Sequence, residues 1–185
     1  MSEVNMNYII TFTGKKVCLG GPSRDSLDID DIAHALANIP RFNGHLDTRY
    51  SVAEHSLFVM KLVRKYTSSI RVLRAALMHD ASEAYLGDMS TPLKLMCPDY
   101  RTIEKNFEEQ LAIKFNYNGL PEEHLQTIKM CDFQALQIEA ECYHYHLHNQ
   151  ERWAWADQQV PTPQPFSTAE DAGEAFLQAY DLMKL

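Results

Sequence analysis

Apolar residues recur every three to four positions along most of this chain, a spacing that marks amphipathic helices. In "SVAEHSLFVMKLVRKY", Val52, Ser56, Val59, Leu62, Val63 and Tyr66 follow it. "IDDIAHALANI" (29–39) predicts a second helix, opening on acids that suit a helix N-terminus and stopping before Pro40. "SIRVLRAALMHDASEAYL" predicts one continuous helix, and "YRTIEKNFEEQLAIKF" another. "PEEHLQTIKMCDFQALQIEAECYHYHL" predicts a long helix with Pro121 at its start and acids in its first turn. In "STAEDAGEAFLQAYDLMKL", Ser167 is placed to cap a last helix, with Glu170 three residues on.

Elsewhere the pattern breaks. "YIITFTG" is the best strand candidate, within a short mixed stretch (7–24). "PRFNGHLDTRY" (40–50) is a polar loop whose two arginines and histidine are unusual in a plain connector. "GDMSTPLKLMCPDY" turns the chain through two prolines, and "VPTPQP" (160–165) reads as a linker. No internal repeat and no alternating βαβ order is present. The pattern predicts a single all-α domain over 1–185, a helical bundle with room for a small N-terminal β-hairpin.

Composition narrows the function. The chain is 45% hydrophobic and 23% charged, with 17 Lys and Arg against 25 Asp and Glu, a formal net charge of −8. It has no basic stripe, so a nucleic-acid polymer is not the expected partner. A small polyanion would have to be held by a few local cations or a metal. Cys18, Cys97, Cys131 and Cys142 form no CxxC pair and read as reduced, buried thiols. The N-terminal stretch shows no signal-peptide pattern, and no apolar run approaches a membrane span, so a soluble cytoplasmic protein is expected.

One stretch contradicts its own pattern. In "ALMHDASEAYLGD" (76–88), His79, Asp80, Glu83 and Asp88 interrupt residues suited to burial. Burying imidazole and carboxylates together costs several kcal/mol unless something pairs with them. On one continuous helix, His79, Asp80 and Glu83 would share adjoining faces. His55 is flanked by Val52, Val59 and Leu62, and Asp132 by Ile128, Ala135 and Leu136, so both are expected to face inward. Two histidines and two aspartates converging from three helices would form a nitrogen–oxygen site for a divalent ion. Taken singly, each has a plainer reading: a hydrogen-bonded core histidine, or a solvated helix acid. The alternating His144, His146 and His148 do not converge on one helix face and read as a surface helix end.

The ordered set is more specific than its parts. "VAEHS", then "MHDASEAYLGD", then "MCDFQAL" resembles the H…HD…D pattern of HD-domain phosphohydrolases. With "FTGK", "DIAHALANIPRFNGH", "STPLK" and "IKMCDFQAL", the resemblance is nearer to small bacterial 5′-deoxynucleotidases and related prophage and phage enzymes, among them dATP triphosphohydrolases. It runs over roughly residues 10 to 145.

The resemblance implies an HD-type helical bundle in which His55, His79, Asp80 and Asp132 hold one divalent transition ion (cobalt, manganese, zinc or nickel). It implies that Glu83 is the catalytic glutamate and that Asp88 lies by the sugar and scissile phosphate. Arg41 takes the place of a phosphate-binding arginine, and Phe42 that of an aromatic packing on the nucleoside. Lys94 and Lys129 take the places of further lysines of the branch, and Lys129 shares a helix face with Asp132. The implied activity is hydrolysis of deoxynucleotides, either a 5′-monophosphate or a triphosphate such as dATP, by a homo-oligomer. The rivals are a cyclic-nucleotide phosphodiesterase, from other HD proteins, and a non-catalytic nucleotide-sensing module.

Overall fold

The computed structural model describes residues 7–143 and 161–184. Two strands, β1 (Tyr8–Ile10) and β2 (Lys16–Cys18), pair antiparallel with Ile9 opposite Val17. Gly14, at φ 82°, supplies the left-handed residue their turn needs. The turn is pinned to the bundle by Asp31, which accepts from the Thr13 backbone N–H at 2.7 Å and from its hydroxyl at 2.9 Å.

Eight helices follow among the described residues: α1 (Ile29–Asn38), α2 (Val52–Val63), α3 (Ile70–Leu77), α4 (Glu83–Leu86), α5 (Thr91–Met96), α6 (Pro98–Lys114), α7 (Glu122–Tyr143) and α8 (Ala169–Asp181). The all-helical bundle with a small hairpin is thus the observed architecture. The two prolines expected to turn the chain instead lie in the first turns of α5 and α6, where the missing N–H costs nothing.

α2 is the central helix, packed against α1, α3, α7 and α8, with nearly every side chain buried. Its apolar face shares one core with Ile32 and Leu36 of α1, Leu77 of α3, Phe107 and Leu111 of α6 and Phe176 of α8. Ser51 and Glu54 cap it reciprocally, and Glu54 Oε1 also accepts the Phe166 N–H at 2.6 Å, tying the segment before α8 to the start of α2. Arg74, buried on α3, donates to the carbonyls of Phe115 and Met183 and fastens the C-terminal turn to the bundle.

Several expectations need correction. The helix expected over 69–86 is two: α3 ends at Leu77, and tight turns carry the chain to α4. The cause is local. The His79 ring lies back over α3, its Nδ1 donating to the Ala76 carbonyl at 2.9 Å, the acceptor a continuing helix would give to the Asp80 N–H. The last helix is capped by Thr168 with Asp171, one residue later than the expected Ser167 and Glu170. Tyr66 lies beyond the end of α2 and is exposed, as is Leu136 on α7. All four cysteines are free, but only Cys131 is buried, and Cys142 is exposed. His144, His146 and His148 lie outside the described residues. No described helix is long and apolar enough to cross a membrane.

The contact between α1 and α8 gives a first prediction. A Cβ built on Gly173 would meet Ala33 O and Ala37 Cβ at 3.6 Å, ordinary van der Waals contact. Glycine inside a helix costs about 0.5–1 kcal/mol relative to alanine. Gly173→Ala is therefore expected to raise the melting temperature by roughly 1–4 °C. A lower value would show that the two helices cannot admit a methyl group.

Candidate active site

The candidate ion ligands and Arg41 come from four parts of the fold. α2 supplies His55, the turn between α3 and α4 supplies His79 and Asp80, α7 supplies Asp132, and the loop before α2 supplies Arg41. The broken helix matters here. Successive residues on a straight helix point about 100° apart, so neither would face the other's target. In the turn, His79 Nε2 comes within 3.2 Å of Asp80 Oδ2.

Ligand atoms of His55, His79 and Asp80 all lie within 4.8 Å of one another. Asp132 Oδ1 is 3.0 Å from His55 Nε2 and 3.7 Å from His79 Nε2. Asp132 does not face the core as expected: its side chain is 40% exposed, on the open side of the cluster.

The donor chemistry suits a cation. The Ala76 carbonyl can only accept, so His79 Nδ1 carries the proton and Nε2 the lone pair. That Nε2 is buried without a hydrogen-bond partner. His55 lies between two carboxylates, Glu139 at 2.7 Å from Nδ1 and Asp132 at 3.0 Å from Nε2, so a cation at Nε2 would leave the proton on Nδ1. Both lone pairs then face carboxylate oxygens, an arrangement that only positive charge stabilises. Without an ion, the two imidazoles are themselves pushed toward carrying that charge. Burial and Arg41 push His55 down, but Glu139 and Asp132 overcome them and raise it. Burial also opposes the charge on His79, and Asp80 and Asp132 raise it well above the ordinary range. Asp80 and Asp132 resist burial through the two imidazoles and are held below the usual carboxylate range.

Glu83 stands apart from this set at the start of α4. It is buried, its Oε2 has no partner, and its Oε1 lies 3.6 Å from Lys94 Nζ. Burial, then the charges of Asp80 and Asp88, push its carboxyl up to about 9, against Lys94 and Arg41. Asp88 is raised by burial, though Arg41 opposes this from 3.8 Å. Lys94 on α5 is clamped by Glu104 of α6 at 2.6 Å.

Arg41 is almost buried. Its Nη2 faces Glu139 Oε2 at 3.4 Å and its Nη1 faces Asp88, while Nε is buried with no partner. The following residues, Phe42 and Asn43, both have positive φ (53° and 52°). Such a backbone is an outlier for a bulky side chain and costs about 1–3 kcal/mol, a strain that collects at functional sites. The loop is closed at its base by a bridge between Pro40 and Ser51, with the Arg41 N–H donating to the Tyr50 carbonyl at 2.9 Å.

The fold thus gathers His55, His79, Asp80, Asp132, Glu83, Asp88, Arg41 and Lys94. Phe42 lies beside Arg41, whose guanidinium is 5.6 Å from its ring centre. Lys129 is not gathered: its side chain is exposed on α7 and makes no ion pair among the described residues. Sequence reasoning missed Tyr50, Glu104 and Glu139. Of these only Glu139 left a signal, an acid seven residues after Asp132 and hence near the same face of α7.

A helical bundle with two imidazoles and aspartates turned on a common point fits the HD superfamily of phosphohydrolases. The chain belongs to the YfbR-like 5′-deoxynucleotidase family, whose sequence profile matches residues 31–142. It is 38% identical over 134 residues to the uncharacterized protein YfdR of Escherichia coli K12, a span of 72% of this chain and 71% of YfdR. It is 37% identical over 135 residues to an uncharacterized protein of Rhodobacter capsulatus, covering 70% and 69% of the two chains. A Pectobacterium atrosepticum protein named 5′-deoxynucleotidase ECA3034 is 32% identical over 114 residues, 58% of this chain but 44% of that protein.

Proposed function

We propose that this chain hydrolyses 5′-deoxynucleoside monophosphates to the deoxynucleoside and inorganic phosphate, with one divalent transition ion held by His55, His79, Asp80 and Asp132. The observation that carries the reading is the pair of imidazole Nε2 atoms turned toward the same carboxylates, with the other nitrogen of each ring held by an acceptor. An ion bound there supplies the charge that acidifies a water and neutralises phosphate oxygens.

The remaining roles belong to the chain's own groups. The Arg41 guanidinium, beside Asp88, suits a phosphate oxygen as a charge-assisted donor. Lys94 Nζ adds a second cation beside Glu83. Glu83, buried beside Lys94 with one oxygen unpartnered, is placed to take a proton from the attacking water, once an ion at Asp80 offsets the charge that raises it, and to return that proton to the leaving 5′-oxygen. Asp88, next to Arg41, orients the guanidinium and borders the sugar. Phe42 is held by its strained turn as a wall for the nucleoside.

Charge favours a monophosphate over a triphosphate. Asp80, Glu83, Asp88, Glu104, Asp132 and Glu139 crowd the site, opposed by Arg41 and Lys94. One phosphate monoester brings a charge of about −2, and a triphosphate brings more, while among the described residues Arg41 and Lys94 are the only Lys or Arg side chains paired with this cluster.

The deciding experiment is a nucleotide panel on metal-loaded protein: monophosphates, triphosphates and cyclic nucleotides of four bases, with deoxyribose and ribose. Phosphate release from deoxynucleoside monophosphates is expected. Triphosphate release from a dNTP, or opening of a cyclic nucleotide, would replace the reading by one of its rivals. Binding without turnover would leave a sensing module.

The phosphate arm makes a separate prediction. Arg41→Ala and Lys94→Ala should each remove about 2 to 4 kcal/mol of transition-state stabilisation. That is about 30- to 1000-fold in kcat/KM. Lys129→Ala, at an exposed position, should change it by less than about threefold. If Arg41→Ala and Lys94→Ala behave like Lys129→Ala, neither cation grips the phosphate.

A further inference from the structure

The buried carboxylate of Glu139 lies outside the ligand set and outside the proposed proton transfer, yet it touches both halves of the site. It is 0% exposed, a place where an acid persists only with full compensation. Its two oxygens are divided. Oε1 accepts from His55 Nδ1 at 2.7 Å and from the Tyr50 hydroxyl at 3.0 Å. Oε2 accepts from Arg41 Nη2 at 3.4 Å. Arg41 and Tyr50 stand at opposite ends of the loop before α2, brought together where the Pro40–Ser51 bridge closes it. One carboxylate on α7 therefore fixes a candidate metal ligand on α2 and a candidate phosphate ligand on a strained loop.

We propose that Glu139 is the positioning residue that couples metal binding to phosphate binding. Through Oε1 it holds the His55 ring with the Nε2 lone pair toward Asp80 and Asp132. Through Oε2 it holds the Arg41 guanidinium, which also faces Asp88, at the edge of the same cluster where a phosphate would sit. The two affinities then depend on one group. This rests on the proposed function and deepens it.

A carboxylate that merely stabilised the fold would shift melting temperature alone. Glu139→Gln separates the cases. The glutamine oxygen can still accept from His55 and Tyr50, but the acceptor is neutral, and its NH2 group faces the Arg41 donor. Calorimetric titration of the metal-free full-length protein with Zn2+ is expected to show affinity about 10- to 100-fold weaker than wild type, as for other partners of ligand histidines. Titration of the zinc-loaded protein with inorganic phosphate is expected to show about tenfold weaker binding, from the lost charge-assisted contact to Arg41.

A Glu139→Gln protein matching wild type in either titration would overturn the coupling. If that variant fails to fold, nitrogen NMR of zinc-loaded wild type decides: His55 must carry its proton on Nδ1 and bind zinc through Nε2, and the reverse tautomer would overturn the proposal. A wild type that binds zinc and phosphate but hydrolyses no nucleotide would tell against the proposed function alone.

Discussion

Glu83→Ala is expected to lower kcat by about 100-fold or more while leaving metal content and fold intact. The carboxyl is separate from the clustered ligand atoms of His55, His79 and Asp80, so its removal takes no donor from the ion. It is buried with one oxygen unpartnered, so its removal also relieves an unsatisfied group. Glu83→Gln sharpens the test. It keeps the shape and cannot carry a proton, so it should lose as much turnover as the alanine variant. Near-normal turnover in Glu83→Gln would remove the residue from the proton transfer.

Stability offers a second measurement on the same residue. In the metal-free protein its pKa stands at about 9 against an ordinary 4.5. Between those values the native state holds a proton that the unfolded chain has released, so this group's contribution falls as pH rises. The stability of Glu83→Gln relative to wild type should therefore grow from about pH 4.5 toward pH 9, read from paired melting curves of metal-free protein.

The parts of this fold that were legible in the sequence are those fixed by local chemistry. α1, α2 and α7 announce themselves through apolar spacing, acidic first turns and a proline start. The missed break after Leu77 came from a side chain acting on the backbone: His79 takes the carbonyl the helix would have used, which periodicity does not register. The cap of α8 slipped by one residue because Ser167 and Thr168 each precede an acid by three. The candidate site was legible as an ordered set of ligand types, because the H…HD…D order resembles that of HD-domain phosphohydrolases. Its geometry was not. Glu139 meets His55 across 84 residues and Tyr50 across 89, contacts that only the packing of α7 on α2 creates. Lys129 shows the converse. It shares a stretch of helix with Asp132, but the side chain points out of the bundle. The left-handed turn at Phe42 could not be foreseen either, since bulky residues normally avoid that backbone.

The other large effect expected is loss of the ion. Purified wild type should hold about one divalent transition ion per chain, and chelation should abolish turnover. Asp80→Ala should hold almost none. Asp80 Oδ2 lies 3.2 Å from one imidazole Nε2 and 3.6 Å from the other, and it is the carboxylate grouped with both. Without it the ion would rest on two neutral imidazoles and Asp132, whose side chain is 40% exposed and better hydrated. The loss can be read without any substrate. An ion at 100 times its dissociation constant stabilises the native state by about 2.7 kcal/mol. In a chain of this size that corresponds to roughly 5 to 10 °C in melting temperature. Added metal should produce that rise in wild type and in Glu83→Ala, and no rise in Asp80→Ala. The contrast separates the ion's ligands from the group proposed to move the proton. Should Asp80→Ala keep full occupancy and the full thermal shift, the ion lies elsewhere, and the roles of His55, His79 and Asp132 fall with it.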